Sequence, residues 1–478
     1  MPASPSIQAE VAREASVRSE QDSGAKIPLL FLSVFGALWF AVAAFLFFLA
    51  AMKMHGPNLG ASLPFLSYGR LQPAAMNAFL YGFLSQSGAA LGIWILARTG
   101  RTKVALPAVL TFGGVLWNGT VLIGTLGILA GYNTGLPWLE MPAGAQAMLF
   151  VASIVISVCG LLTIASRTER TLYPAAWFII GALLTLPWML GTASWTLLGQ
   201  TVRGAVQLSV NGWFINSMTW LWFGFLGLGA LFYVIPKTSK TDLYSRSSAT
   251  FAFWTLAILA GWGGVHSGAP LPRWIITISE SANLIFLVPI ALIVHNLWNS
   301  TDGEAVSEKD SLSLCFARFA LTALVSYALL SVSFHLRSRN LTLQLTLFSP
   351  GLTFMLLFGF VGFSILAGYN LMLPALLGRS FKIGSIAASL VALFMTSIPL
   401  ILGGLKQASI WADETKTPAD VVKGLVPFMG MSTLGFLFLL ISAVLVLAQI
   451  VRMLKTVAVE DCGCTTWAAE TLGSKAKQ

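Results

Sequence analysis

Charged residues are scarce in this sequence, and histidines are scarcer still. Asp, Glu, Lys and Arg make up 10% of the 478 residues, and hydrophobic residues make up 56%. A soluble globular domain has about 25% charged residues, so this composition excludes a water-soluble fold and predicts a chain that lies mostly in lipid. The net charge of +10 does not indicate a nucleic-acid partner, because the basic residues are scattered through short loops between apolar runs.

Cysteine is too rare for a disulfide framework. Cys159 and Cys315 fall in or beside apolar runs, whereas Cys462 and Cys464 lie near the C-terminus. Two thiols one residue apart can chelate a soft metal ion. Because no third ligand is nearby in the sequence, we favour an ordinary cytoplasmic tail over residues 456–478.

Twelve apolar runs follow a polar N-terminal arm. The arm, residues 1–26, lacks the apolar core of a signal peptide, and its mixed charges predict a segment that is disordered or lies on the membrane surface. Each run is close to or above the roughly 20 residues that cross a bilayer, and a backbone in lipid must satisfy its own hydrogen bonds. The sequence therefore predicts an all-α membrane protein with a twelve-helix domain over residues 27–455. The runs are 28–52, 75–97, 104–131, 145–166, 172–197, 210–236, 247–267, 276–298, 314–336, 348–377, 381–404 and 427–451.

The distribution of Lys and Arg predicts the orientation of the chain. Nineteen of the 28 basic residues lie in the N-terminal arm, in loops after even-numbered runs and in the C-terminal tail, and nine lie in the other loops. Because basic loops stay in the cytoplasm, both termini are predicted to be cytoplasmic.

Three stretches resemble the catalytic subunit of the cbb-type heme-copper oxidases. Residues 67–73 read SYGRLQP at the start of run 2, like the YGRLRP turn of that family. Residues 231–237 read LFYVIPK at the end of run 6, similar to the family's YYFVPK. Residues 361–363 (VGF) and 373–374 (LP) are similar to the end of run 10. The resemblance implies a heme-copper oxidase subunit I fold in a bacterial inner membrane.

In that family six histidines hold two hemes and one copper ion, and a tyrosine precedes the copper pair. When the family's ligand and tyrosine positions are matched to this sequence one by one, none of them is a histidine or tyrosine. They fall on Ala75 (heme, run 2), Asn216 (copper, run 6), Ala257 (tyrosine, run 7), Gly263 and Gly264 (copper, run 7), and Leu352 and Phe354 (hemes, run 10).

The whole sequence has four histidines, and runs 2 and 10 contain none. Because methyl groups and hydrogen atoms do not bind iron or copper, we expect no cofactor. His266 is a candidate remnant metal or proton site, although an interfacial histidine is favoured. Met76 and Met355 lie beside vacated positions and are candidate thioether ligands of heme, although packing is the favoured role.

Glu280 is the notable acid within a run, and a carboxylate in a membrane is often functional. An ion pair with Arg273 is the structural alternative. If the cofactors are absent, their volume must be refilled, because a void of that size is costly. The candidate fillers are Phe354, Trp213, Trp220, Trp222 and Trp262.

Three functions are compatible with these observations. We favour a catalytically silent relative of subunit I that acts as a structural, assembly or docking subunit, with other respiratory oxidase subunits, including ones that carry cytochrome c, as partners. The second is a divergent cbb-type cytochrome c oxidase that reduces oxygen and pumps protons. The third is a twelve-span secondary transporter on a major facilitator frame, although a clear set of paired charges in mid-membrane is missing.

Overall fold

The protein is a bundle of helices that follow one another in the order of the predicted runs. The computed structural model describes residues 5–265, 268–301, 308–335, 342–343, 345–378 and 384–461, and within these ranges it contains helices and no strand. The helices are α1 (Pro5–His55), α2 (Tyr68–Gly100), α3 (Pro107–Ala130), α4 (Ala143–Ala165), α5 (Pro174–Leu198), α6 (Ala205–Ser239), α7 (Arg246–Trp262), α8 (Arg273–Asn299), α9 (Glu308–His335), α10 (Phe348–Leu377), α11 (Ile386–Trp411) and α12 (Pro418–Asp461).

Helix α7 is shorter than its predicted run. In the described part of the chain, the other eleven helices are long and apolar enough to cross a membrane. Helix α7 has 17 residues and so spans about 25 Å, less than the roughly 30 Å of the hydrocarbon. The predicted run extended to residue 267, but the helix ends at Trp262 because Gly263 is extended and Gly264 has a φ of +93°.

The N-terminal arm joins the first run in one helix. Since α1 begins at Pro5, the arm is helical rather than disordered over this range, and the alternative, a segment that lies on the membrane surface, stays a prediction. Asp22, near the end of the arm, forms an ion pair with Arg98 at the end of α2. The Arg98 guanidinium also lies 5.3 Å from the ring centre of Trp94. At the other terminus α12 continues to Asp461, so the first six residues of the predicted tail are helical.

Helices α2, α6 and α10 form the centre of the bundle. Their most apolar stretches are 89–100% buried, compared with 56% or less in the other spanning helices. Each of the three contains a π-helical segment, at Ala78–Ser85, Met218–Gly224 and Met355–Gly362. Segments of this kind are rare and often occur at functional sites. The centre of the bundle is therefore where a site is expected.

A buried polar contact ties α2 to α1 and α3. Asn118 of α3 exchanges hydrogen bonds with the Gln86 amide of α2, donating at 2.7 Å and accepting at 3.1 Å. Trp39 of α1 donates its indole N–H to the Asn118 Oδ1 atom at 2.9 Å. Because no water competes within lipid, such side-chain bonds hold helices together.

We predict that Asn118→Ala lowers the thermal stability of the detergent-solubilised protein. The change leaves the polar groups of Trp39 and Gln86 without this partner, and we expect a loss of about 1–2 kcal/mol. The control is Asn58→Ala, which alters an exposed loop side chain. Equal unfolding temperatures for the two variants, measured by circular dichroism, would contradict the prediction.

Candidate functional site

The structure brings together the three positions that the resemblance assigns to copper. A Cβ atom added to Gly263 would lie 2.7 Å from the Asn216 Nδ2 atom. A Cβ atom added to Gly264 would lie 2.7 Å from the Asn216 Cβ atom and would overlap the carbonyl oxygen of Gly212. Helix α6 thus packs directly against the end of α7, and no space is left there for two further side chains.

Side chains of α6 cap the end of α7 at this point. Asn216 donates its amide N–H to the carbonyl oxygen of Ala260 at 2.8 Å, and Trp213 donates its indole N–H to that of Gly261 at 3.0 Å. The last four carbonyl groups of any helix lack partners within it, and in lipid they must find partners elsewhere. The residue at a copper position therefore serves as a helix cap.

Of the four predicted tryptophan fillers, two are buried, Trp213 at the cap is half-buried, and one is exposed. Trp220 is 5% exposed and Trp222 is fully buried, and the Trp222 indole donates to the Ser85 hydroxyl of α2 at 2.9 Å. Trp262 is 52% exposed, so its prediction as a filler is wrong: it lies on the last turn of α7 and faces outward. Ala257, at the position of the family tyrosine, is half-buried on the same helix.

Phenyl rings occupy part of the space between α2 and α10, where the resemblance places a heme, and a cleft of about 210 Å³ remains beside them. Ala75 is fully buried on α2, and Phe354 is 5% exposed on α10. Phe79, one turn after Ala75, stacks on Phe354 with ring centres 6.0 Å apart. These rings belong to an aromatic cluster whose members come from α1, α2, α10 and α12. The aromatic cluster is Phe40, Phe47, Phe79, Phe83, Phe354, Phe358 and Phe436.

Leu352 and Met355 belong to a separate cluster on α10. They pack with Phe348 and Ile401, apart from the aromatic cluster. Met76 instead lines a cleft of about 210 Å³ together with Phe354, smaller than the roughly 300–1,000 Å³ of typical ligand pockets. Met76 and Met355 therefore face different spaces, and the structure does not form the methionine pair that the sequence offered as heme ligands.

The residues at the family positions do not fit two hemes and a copper ion. Ala75, Leu352 and Phe354 have no donor atom, and the Asn216 amide is already bonded to Ala260. Among the residues that the structure describes, no three His, Cys, Asp or Glu side chains converge as they would around a metal ion. The absence of the cofactors follows from side-chain chemistry and stays a prediction.

The other candidates from the sequence do not converge on this centre. His266, Cys462 and Cys464 lie outside the described residues. Glu280 is half-buried on α8, and the described part of the chain forms no ion pair between it and Arg273, so the predicted pair is wrong.

Sequence reasoning missed a buried carboxyl group in the loop between α3 and α4. Glu140 is 9% exposed, and the Asn77 amide of α2 donates to its Oε2 atom at 2.6 Å. Burial raises the pKa of Glu140 from its ordinary 4.5 to about 7, against the opposing effect of the Asn77 hydrogen bond. The available signal was an isolated acid between apolar residues, in the segment Leu139-Glu140-Met141-Pro142.

This loop is held against the central helices by further hydrogen bonds. The Tyr81 hydroxyl of α2 donates to the carbonyl oxygen of Trp138 at 2.6 Å, and the Asn211 amide of α6 donates to that of Pro137 at 3.1 Å. The loop therefore closes one end of the bundle centre and keeps Glu140 out of water.

We predict that Glu140→Gln changes how stability depends on pH. Because the folded protein holds this proton up to about pH 7 and the unfolded chain releases it near pH 4.5, the wild-type protein loses stability as the pH rises through that window. Glutamine keeps the hydrogen bond without the charge, so the variant should be more stable at about pH 8, by at most about 3 kcal/mol. Thermal unfolding at about pH 5 and pH 8 measures this, with the half-exposed Glu169→Gln as control; parallel profiles for both variants would contradict it.

We also predict that Gly264→Ala destabilises the protein and that Gly261→Ala does not. At Gly264 a positive φ and the Gly212 carbonyl both oppose a side chain, and we expect a loss of about 2 kcal/mol or more. At Gly261, a helical position, an added Cβ meets nothing within 4 Å, and alanine should gain up to about 1 kcal/mol. Unfolding temperatures that fall equally in both variants would show that the close contact of α6 with α7 is not formed.

Comparisons with known proteins agree with this architecture. The sequence matches the family described as cytochrome C and quinol oxidase polypeptide I over residues 27–438. It is 26% identical over 274 residues to a bacteroid cytochrome c oxidase subunit 1 homolog of Bradyrhizobium diazoefficiens, covering 55% of this chain and 50% of that protein. It is 24% identical over 269 residues to the cbb3-type cytochrome c oxidase subunit CcoN1 of Stutzerimonas stutzeri, covering 54% and 56%. In these alignments the chain spans about half the length of the relative.

A longer alignment and a solved structure extend the comparison. The chain is 22% identical over 457 residues to a cytochrome c oxidase subunit 1 homolog of Agrobacterium tumefaciens, covering 87% of this chain and 81% of that protein. Its fold is similar to a cryo-EM structure of a heme-copper terminal oxidase dimer, with a TM-score of 0.71, 12% identity, and coverage of 90% and 84%. The predicted subunit I fold is confirmed, and the major facilitator frame is wrong.

Proposed function

The chain belongs to the family of cytochrome c and quinol oxidase polypeptide I, and we propose that within this family it is a non-catalytic member. Its proposed role is structural, or in assembly, in a respiratory oxidase complex. It is a multi-pass membrane protein of the heme-copper oxidase subunit I type. In this proposal the chain binds neither heme nor copper and serves the complex through its contacts with other subunits.

One observation carries the proposal: side chains and close helix contacts occupy most of the bundle centre where the family would hold its cofactors, and the cleft that remains at Met76 and Phe354 measures about 210 Å³. The Phe79 and Phe354 rings stack between α2 and α10, and the end of α7 lies against Gly212 of α6. A subunit that had only lost its ligands would keep large voids, which cost about 24 cal/mol per Å³. Side chains in the spaces of the bundle centre support a fold that is stable without hemes and copper.

The relatives' names supply the proposed setting. Two of them are called subunit 1 homologs of cytochrome c oxidase, and one is called a subunit of a cbb3-type oxidase. We therefore propose other oxidase subunits as partners, among them subunits that carry cytochrome c, and a bacterial inner membrane as location. The excess of Lys and Arg in the even-numbered loops supports cytoplasmic termini.

The second candidate is a divergent cbb-type oxidase, which the names of the relatives favour. It would reduce oxygen and pump protons, and it would need iron and copper ligands other than histidine at the family positions. Side chains such as Ala75 and Phe354 offer no lone pair for that purpose. The cofactor content of the protein separates the two candidates.

We predict that the purified full-length protein contains far less than one heme and one copper ion per chain. The measurements are the optical spectrum of the reduced protein and metal analysis by mass spectrometry. A histidine-containing cbb-type oxidase, purified in the same detergent, serves as the control for cofactor loss. A Soret band that corresponds to one or two hemes per chain, with oxygen uptake from reduced cytochrome c, would establish the oxidase instead.

The proposed role is tested separately in the native membrane. Chemical cross-linking of intact membranes, followed by mass spectrometry, should join this chain to oxidase subunits. Deleting the chain should lower the amount of assembled oxidase on native gels, and re-expression should restore it. An unchanged amount of oxidase and no cross-link to its subunits would refute the role, whatever the cofactor content.

A further inference from the structure

A cleft of about 430 Å³ opens at the membrane face opposite the Glu140 loop, where the loops after α2, α4 and α6 meet the start of α7. We call it the basic cleft, after three of its lining residues: Arg101, Lys237 and Arg246. Its volume lies within the roughly 300–1,000 Å³ of ligand sites. It is separate from the bundle centre and has no part in the proposed function.

Positive charge dominates the lining of the basic cleft. Glu169 is the acid that lines it, and this carboxylate pairs with Arg101 at 3.0 Å. The side chains of that pair are 66% and 40% exposed, so the pair contributes little to stability and can exchange partners. Asp242 lies in the loop after α6, outside the lining. Asp242 nevertheless lies close enough to act electrostatically on Tyr173 of the lining, so three cations and two carboxylates surround the cleft, and one positive charge is in excess.

The remaining lining suits a phosphate group beside an apolar surface. The Arg246 guanidinium lies 5.8 Å from the ring centre of Tyr173, which holds one cation at the edge of the cleft. The apolar Pro236 also lines it. Arginine binds phosphate oxygens through paired N–H groups, and lysine adds a point charge.

The three basic residues of the cleft converge in space, which distinguishes them from basic residues that only set the orientation of the chain in the membrane. Basic residues that set topology need only lie in the correct loops, but these three come from the loop after α2, the last turn of α6 and the start of α7, and they share one concave surface. Basic pockets between transmembrane helices on the cytoplasmic side bind anionic lipid head groups. We propose that the basic cleft binds a phosphate group, carried by an anionic phospholipid or present as a soluble phosphate.

The lipid source is tested by native mass spectrometry of the full chain. The probes are phosphatidylglycerol and cardiolipin, with phosphatidylcholine as the zwitterionic comparison. The wild-type protein should bind the anionic lipids more tightly, and Lys237→Gln combined with Arg246→Gln should weaken that binding about tenfold or more. The matched control is Arg452→Gln with Lys455→Gln, which removes two exposed charges from α12 and should leave the affinity within about twofold.

The soluble source is tested by calorimetric titration of the same proteins with inorganic phosphate. Binding that depends on the cleft residues, without a preference for anionic lipid, would assign the site to a soluble phosphate. If the wild-type protein shows neither lipid preference nor phosphate binding, the proposal is wrong. The same holds if both double variants lose affinity equally. Should the cleft variant fail to fold, Arg101→Gln, a surface change, replaces it and should weaken binding in the same direction.

Discussion

The space between α2, α6 and α10 must be filled, and the rest of the structure depends on how this is done. In lipid, helices gain little from hydrophobic burial and associate through close packing and side-chain hydrogen bonds. A protein interior of ordinary density has few voids, so side chains must occupy most of the space at this centre. The aromatic cluster fills one side of this centre, and the capped end of α7 closes the other.

The π-helical segments explain how the same backbone presents these fillers. A π-turn closes one residue later than an α-turn, so each of its turns is wider and carries more side chains. Phe79 and Phe83 both lie in the π-segment of α2, and both contact Phe40. Trp220 and Trp222 lie in the π-segment of α6. The wide turns of the central helices thus carry the bulky side chains that occupy the centre.

The sequence was a good guide to the helices and a partial guide to their ends. Hydropathy predicts twelve helices in the right order because lipid imposes one long apolar stretch on each crossing. It cannot show where α7 stops, since that depends on a positive φ at Gly264 and on caps supplied by Asn216 of another helix. It also missed the helical arm, because the Asp22–Arg98 pair joins residues 76 positions apart.

At the candidate site, too, the sequence shows which residue types are present but not which residues touch one another. The vacated ligand positions can be read from the sequence because they depend on which residue types are present, and imidazole has no substitute in Ala75 or Phe354. Which side chains pack beside these positions depends on contacts between distant segments, so Phe79 was missed and Trp262 was misplaced. Glu140 was missed because loop acids are usually exposed, whereas this loop folds onto α2. A sequence can therefore show that the ligand residue types of a family are missing at their positions, but how the helices pack around those positions is a property of the folded structure.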